Sequence, residues 1–257
     1  MPNSAKTDFL EDIDRARAIL AHSNSLPDGL LKDDLRRSAW MFSVGALDAY
    51  FCDAFADIIA RVLNCKREEP AINIPDNLEN LKVPVVAVIS SATDDGWRWR
   101  LVARDLIEDE NVLSFKKIKE LFNRFFPENR KVLCNDHLAD WILHRESQRR
   151  LFGISRNEFK KLLDKPRSNA LDKSKKQLSE RFEFIFQRRH DCIHNCDRPK
   201  VAIQRAGIDT AKKVGKVIDD ISFFVNRMDE TIIKEFKAYL KGLGFSARLR
   251  NKWTNNL

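Results

Sequence analysis

Glycine and proline are scarce in this chain, eight of each in 257 residues. Few breakers exclude a loop-rich β-sandwich and favour long helices without interruption. No apolar run approaches the roughly 18–20 residues needed to span a bilayer. The start, MPNSAKTDFLED, turns acidic at once and lacks the apolar stretch of a secretory signal. The five cysteines, Cys52, Cys65, Cys134, Cys192 and Cys196, are odd in number and widely scattered, so they read as reduced thiols of a cytoplasmic protein. There is no glycine-rich phosphate loop, no G-x-S-x-G elbow and no H-E-x-x-H metal motif, which leaves most familiar enzyme classes without support.

What the chain does have is charge, unevenly spread. The net charge is +8. Residues 145–257 carry 27 Lys and Arg against 14 Asp and Glu, whereas the first 144 residues are net acidic. A basic second half suits a polyanionic partner, although a solvated helical surface has the same composition.

Apolar spacing predicts an all-α bundle in a single domain. A short helix covers about Asp8–His22. Framework helices follow at about 31–65, 171–195 and 209–240, the last capped by Asp209 or Thr210. Val44, Leu47, Phe51, Phe55, Ile58 and Val62 form one buried stripe of the first framework helix. Residues 66–167 read as a mainly helical insertion, with patterns at Arg98–Glu108, Ser114–Phe126, His137–Arg150 and Arg156–Leu163. The apolar run VPVVAVISS within it suits a strand or a buried helix equally. Residues 242–257 read as a basic tail.

The informative segment is RRHDCIHN, at the end of the second framework helix. Arg189 follows Phe182 by seven residues and Ile185 by four, so it projects from the apolar stripe. A guanidinium there needs a carboxylate, an interface or a phosphate. His194 lies about 140° further round an ideal helix. The two converge only if the helix frays, as Asn195, Asp197 and Pro199 suggest, or if a second copy brings its own motif opposite. Imidazole suits proton transfer near neutrality and guanidinium suits phosphate oxygens.

Arg189, the polar His190, three further residues and His194 match the motif of the HEPN superfamily (higher eukaryotes and prokaryotes nucleotide-binding domain). The chain resembles its RiboL-PSP-HEPN-like and related stand-alone branches, over about 32–66 and 171–240. The resemblance implies a HEPN-like helical bundle and a metal-independent endoribonuclease without cofactor. Two HEPN units would line one cleft, and the products would be a 2′,3′-cyclic phosphate and a 5′-hydroxyl. Arg189 would hold the scissile phosphate, and His194 would act as general base or acid. His190 and Asn195 would shape the site. Cys196 stands where some branches have a tyrosine. A homodimer, an RNA substrate, an antitoxin or regulatory partner and a role as toxin or in phage defence are further implications.

Asp48, at the edge of the first framework stripe, either orients Arg189 across the bundle or serves structure alone. Lys173, Lys175, Lys176, Arg188, Arg248 and Arg250 are candidates for RNA phosphates, and Gly96-Trp97-Arg98-Trp99-Arg100 either stacks on bases or starts an amphipathic helix. His190, Cys192, His194 and Cys196 alternate, but alternation by two does not place four zinc ligands on one helical face. Two rivals stand beside the nuclease. One is a catalytically silent HEPN-like module that binds RNA or protein. The other is an unrelated scaffold in which Arg189 makes a buried ion pair.

Overall fold

A computed structural model describes residues 4–79, 112–197, 208 and 210–254. Among them there are helices and no strand. Helix α1 (Ala5–Asn24) is started by Ser4, whose side chain accepts the Thr7 amide. It buries Phe9, Ile13 and Ala16 against α2 (Leu30–Glu68). α2 is the spine, 39 residues and roughly 58 Å long at 1.5 Å per residue. The whole expected stripe, from Val44 to Val62, is buried.

Short helices follow: α3 (Asp76–Glu79), α4 (Phe115–Phe122), α5 (Asn135–Leu143), α6 (Arg149–Phe152) and α7 (Arg156–Lys160). The described part of the expected insertion is no satellite. Phe115, Phe122, Phe125, Trp141, Phe152 and Phe159 all enter the one core. The pattern expected over His137–Arg150 divides into two helices, and those at Ser114–Phe126 and Arg156–Leu163 are shorter than expected. Ser114 and Ser155 cap α4 and α7, the latter through a reciprocal box with Glu158. The expected Arg98–Glu108 helix, VPVVAVISS and the Gly96–Arg100 segment lie outside the described residues.

Two long helices close the bundle, α8 (Asp164–Asn195) and α9 (Ala211–Gly242). α8 begins seven residues earlier than the apolar pattern indicates. Pro166 falls in its first turn, where a missing amide hydrogen costs nothing. Thr210 caps α9 by accepting the Lys213 amide. Phe224 of α9 sits at the aromatic centre, its ring 4.5 Å from Phe182, 5.2 Å from Phe115 and 5.8 Å from Phe51 and Trp141. Burying each such ring contributes about 2–3 kcal/mol.

The expected basic tail is instead helix α10 (Ala247–Thr254), reached through a turn at Gly244, where φ is +95°. Leu249 is buried, and Arg61 donates to the Trp253 carbonyl at 2.7 Å. Lys252 and the Trp253 indole both reach Glu68 at the end of α2. Apolar Phe245, Leu249 and Trp253 recur at four-residue intervals, which is the local signal for this packed turn of helix. Among the described residues no helix is long and apolar enough to cross a membrane.

Candidate functional site

The RRHDCIHN segment lies wholly within α8, which runs unbroken to Asn195. The fraying expected at His194 does not occur, and five residues of regular helix keep Arg189 and His194 about 140° apart. The helix ends one residue later, on two consecutive left-handed residues, Cys196 (φ 48°) and Asp197 (φ 58°). Both amides donate to the Asp191 carbonyl. A non-glycine residue in this conformation costs roughly 1–2 kcal/mol, so something must hold the hook in place.

That something is an ion network. Asp197 lies 2.6 Å from Arg188 Nη2, and Arg37 Nε of α2 donates to its other oxygen at 3.1 Å. Arg188 also meets Asp191 at 3.8 Å, and Gln187 donates to Asp191. Burial opposes the Arg37 charge, yet the hydrogen bonds it donates to Asp197 and Asp34, with their negative charges, outweigh it and raise its pKa. Burial likewise pushes the Cys192 thiol up to about 11, with Asp197 adding to the effect, so this thiol is unreactive. Arg188 is therefore misplaced among the RNA-contacting residues. It is 5% exposed and committed to carboxylates on its own helix end.

Arg189 leaves the buried side of α8, as its place in the stripe indicates. Its Nε is buried and has no hydrogen-bond partner among the described residues. The side chain borders a cleft of about 1100 Å³ between α8 and the start of α4. Lys116, Lys119, Gln187, His190 and Phe184 share that lining. Burial depresses the Lys119 pKa, and nearby Lys175 depresses it further. Glu180 and Glu183 also line the cleft, and Lys116 reaches Glu120 at 3.9 Å, so the cleft carries charge of both signs. His190 is at the cleft, and His194 stands one turn beyond it. Both are exposed, with ring centroids 4.3 Å apart.

Asp48 does not reach Arg189: among the described residues no ion pair joins them. Its Oδ1 accepts the Val112 amide at 3.2 Å, fastening the chain just before Ser114 and the cleft wall. Asn195 is the last residue of α8, and its side chain lies outside the described ones. Lys173, Lys175 and Lys176 are exposed, and Lys176 pairs with Glu180 at 3.7 Å. Lys173 borders a second cleft, beside Arg149, roughly 24 Å along α8 from Arg189. Arg248 sits 3.5 Å from Glu68, and Arg250 is partly buried. This pair lies at the far end of α2, roughly 45 Å from Arg37, so the basic residues form separate patches.

Asp197 and Arg37 carry no sequence signal for their role, because the left-handed turn that joins them follows no periodicity. Among the described residues no group of three or more His, Cys, Asp and Glu side chains is gathered to hold a metal ion. Comparison with known proteins returns no matching family model, no matching curated protein and no matching solved structure.

Proposed function

We propose that this chain is a HEPN-type endoribonuclease that cleaves RNA by attack of the 2′-hydroxyl on the adjacent phosphorus. Arg189 carries the reading. Among the described residues its Nε is buried without a hydrogen-bond partner, and it borders a cleft that holds Lys116 and Lys119 beside Glu180 and Glu183, where a guanidinium can meet a phosphodiester oxygen. Arg189 binds the non-bridging oxygens and stabilises the charge of the pentacoordinate transition state. His194 takes the 2′-hydroxyl proton or gives one to the departing 5′-oxygen. The resulting ends are a 2′,3′-cyclic phosphate and a 5′-hydroxyl. His190 lies between the two residues and shapes the path of the strand.

The unbroken helix constrains this reading. With Arg189 and His194 about 140° apart, the reacting pair comes from two chains related by a two-fold axis. Exposed Ile193, near the end of α8 and about 40° round the helix from Arg189, is the apolar side chain for that contact. A toxin or phage-defence role, with an antitoxin as partner, accompanies the family resemblance.

The test is labelled RNA incubated with the pure protein in EDTA, beside Arg189→Ala and His194→Ala. Cleavage is expected to survive the chelator and to fall about 100- to 10,000-fold in each variant. Cleavage that persists in both variants defeats the assignment. The angular separation of Arg189 and His194 also favours a second reading, a silent HEPN-like module that binds RNA or protein. Its mark is binding without cleavage, unchanged by either substitution.

A further inference from the structure

His190 and His194 are four residues apart, one turn of an unbroken helix, so both imidazoles leave the same face. Their ring centroids are 4.3 Å apart and the planes are inclined by 42°. Both are exposed, and among the described residues neither ring is engaged in a hydrogen bond or ion pair. Nearby Asp191 meets Arg188 and Gln187, and among the described residues no carboxylate is paired with either ring. Two imidazoles on adjacent turns can direct one lone pair each toward a shared point about 2 Å from both nitrogens.

We propose that His190 and His194 chelate one borderline divalent transition-metal ion, of the Zn²⁺ or Ni²⁺ class. The metal–nitrogen bonds stand in for ring protons, and water fills the remaining coordination positions. Two imidazoles favour such an ion over hard Mg²⁺ and Ca²⁺, which take oxygen ligands, and among the described residues no carboxylate joins the pair. The site is two-pronged, which is why no cluster of three ligands is needed. A bound ion occupies the His194 nitrogen that would move a proton. The ion is therefore an inhibitor of a reaction that needs no metal. This inhibitory half rests on the ribonuclease reading, and the chelation itself does not.

The experiment is calorimetric titration of NiCl₂ into the full chain after stripping with EDTA and dialysis. His190→Ala, His194→Ala and Cys196→Ser are titrated alongside, with far-UV circular dichroism showing equal helix content. All three replaced side chains are exposed, so the core is untouched. One Ni²⁺ per chain is expected, lost in each histidine variant and retained in Cys196→Ser. No binding to the unsubstituted chain, binding that survives either histidine substitution, or loss in Cys196→Ser overturns the site. In a parallel RNA assay, ZnCl₂ is expected to suppress cleavage and EDTA to restore it. Undiminished cleavage at saturating Zn²⁺ overturns the inhibitory half. A chain that binds Ni²⁺ but cleaves no RNA upholds the chelation and overturns both inhibition and the ribonuclease reading.

Discussion

Arg188 and Arg189 are adjacent and identical in type, yet their environments assign them opposite tasks. Arg188 is sandwiched by Asp197 and Asp191 and supports structure. Each has a buried Nε without an acceptor among the described residues, but Arg189 makes no ion pair with them and borders the cleft. The strained pair Cys196–Asp197 is what separates them, because it folds the Asp197 carboxylate back onto Arg188 and Arg37. Asp197→Ala leaves two guanidinium groups without that counter-charge. It is expected to destabilise the fold by about 3 kcal/mol in urea unfolding, the usual scale for breaking a buried pair. A change below about 0.5 kcal/mol would show that the hook is held by something else.

His137 offers a second residue-level test. It is 2% exposed, with Nε2 3.3 Å from the buried Glu235 carboxylate, which also meets Arg130 at 2.8 Å. Burial lowers its pKa below the ordinary 6.5, and the attraction of Glu235 only partly opposes this. The unfolded chain therefore binds more protons here than the folded one below pH 6.5. Stability from this group is full above 6.5 and declines as the pH falls through the folded pKa, by up to about 1.4 kcal/mol per unit. Urea unfolding between pH 7 and 5 is expected to show that slope, and His137→Gln to flatten it. An equal slope in the variant would assign the acid sensitivity elsewhere.

At the scale of elements, α10 changes the meaning of a basic C-terminal stretch. Charge alone reads SARLRNKWTNNL as a free arm for nucleic acid. Instead Leu249 within it and Phe245 just before it are buried, and Arg248 and Lys252 meet Glu68. Ending the chain after Gly244 is expected to cost about 4–5 kcal/mol, the burial of those two side chains. A disposable arm would leave the thermal midpoint unchanged. α8 makes a related point about helix ends. Asn195, Asp197 and Pro199 correctly mark where the helix stops, but helical hydrogen bonding persists through the last turn, to Asn195. Of the two ways to bring Arg189 and His194 together, the regular helix leaves the one that needs a second copy.

For the whole molecule, that shift turns oligomeric state into a prediction. Light scattering during size exclusion is expected to give twice the chain mass, and Ile193→Glu, on the exposed face of α8, to halve it. A monomer at concentrations where RNA is cleaved would exclude a site shared between chains. One core spans the described helices, with Phe224 touching aromatic rings from α2, α4, α5 and α8. The described part of the segment treated as an insertion is thus part of the bundle's core.

Sequence alone determined the helical class, the buried stripe of α2, a cap for α9 at Asp209 or Thr210, and the position of Arg189 on the inner face of α8. Each follows from periodicity or from a hydrogen bond between residues close in the chain. Tertiary structure decided which arginine is neutralised, that Asp48 serves the Val112 amide, and that the basic tail packs as a helix. Those outcomes depend on what another element brings within a few ångströms, and no local pattern carries that information. RRHDCIHN lies between the two regimes. Its helix is local, but Asp197 and the Ser114–Lys119 wall come from beyond it, and they distinguish a supporting arginine from one available to phosphate.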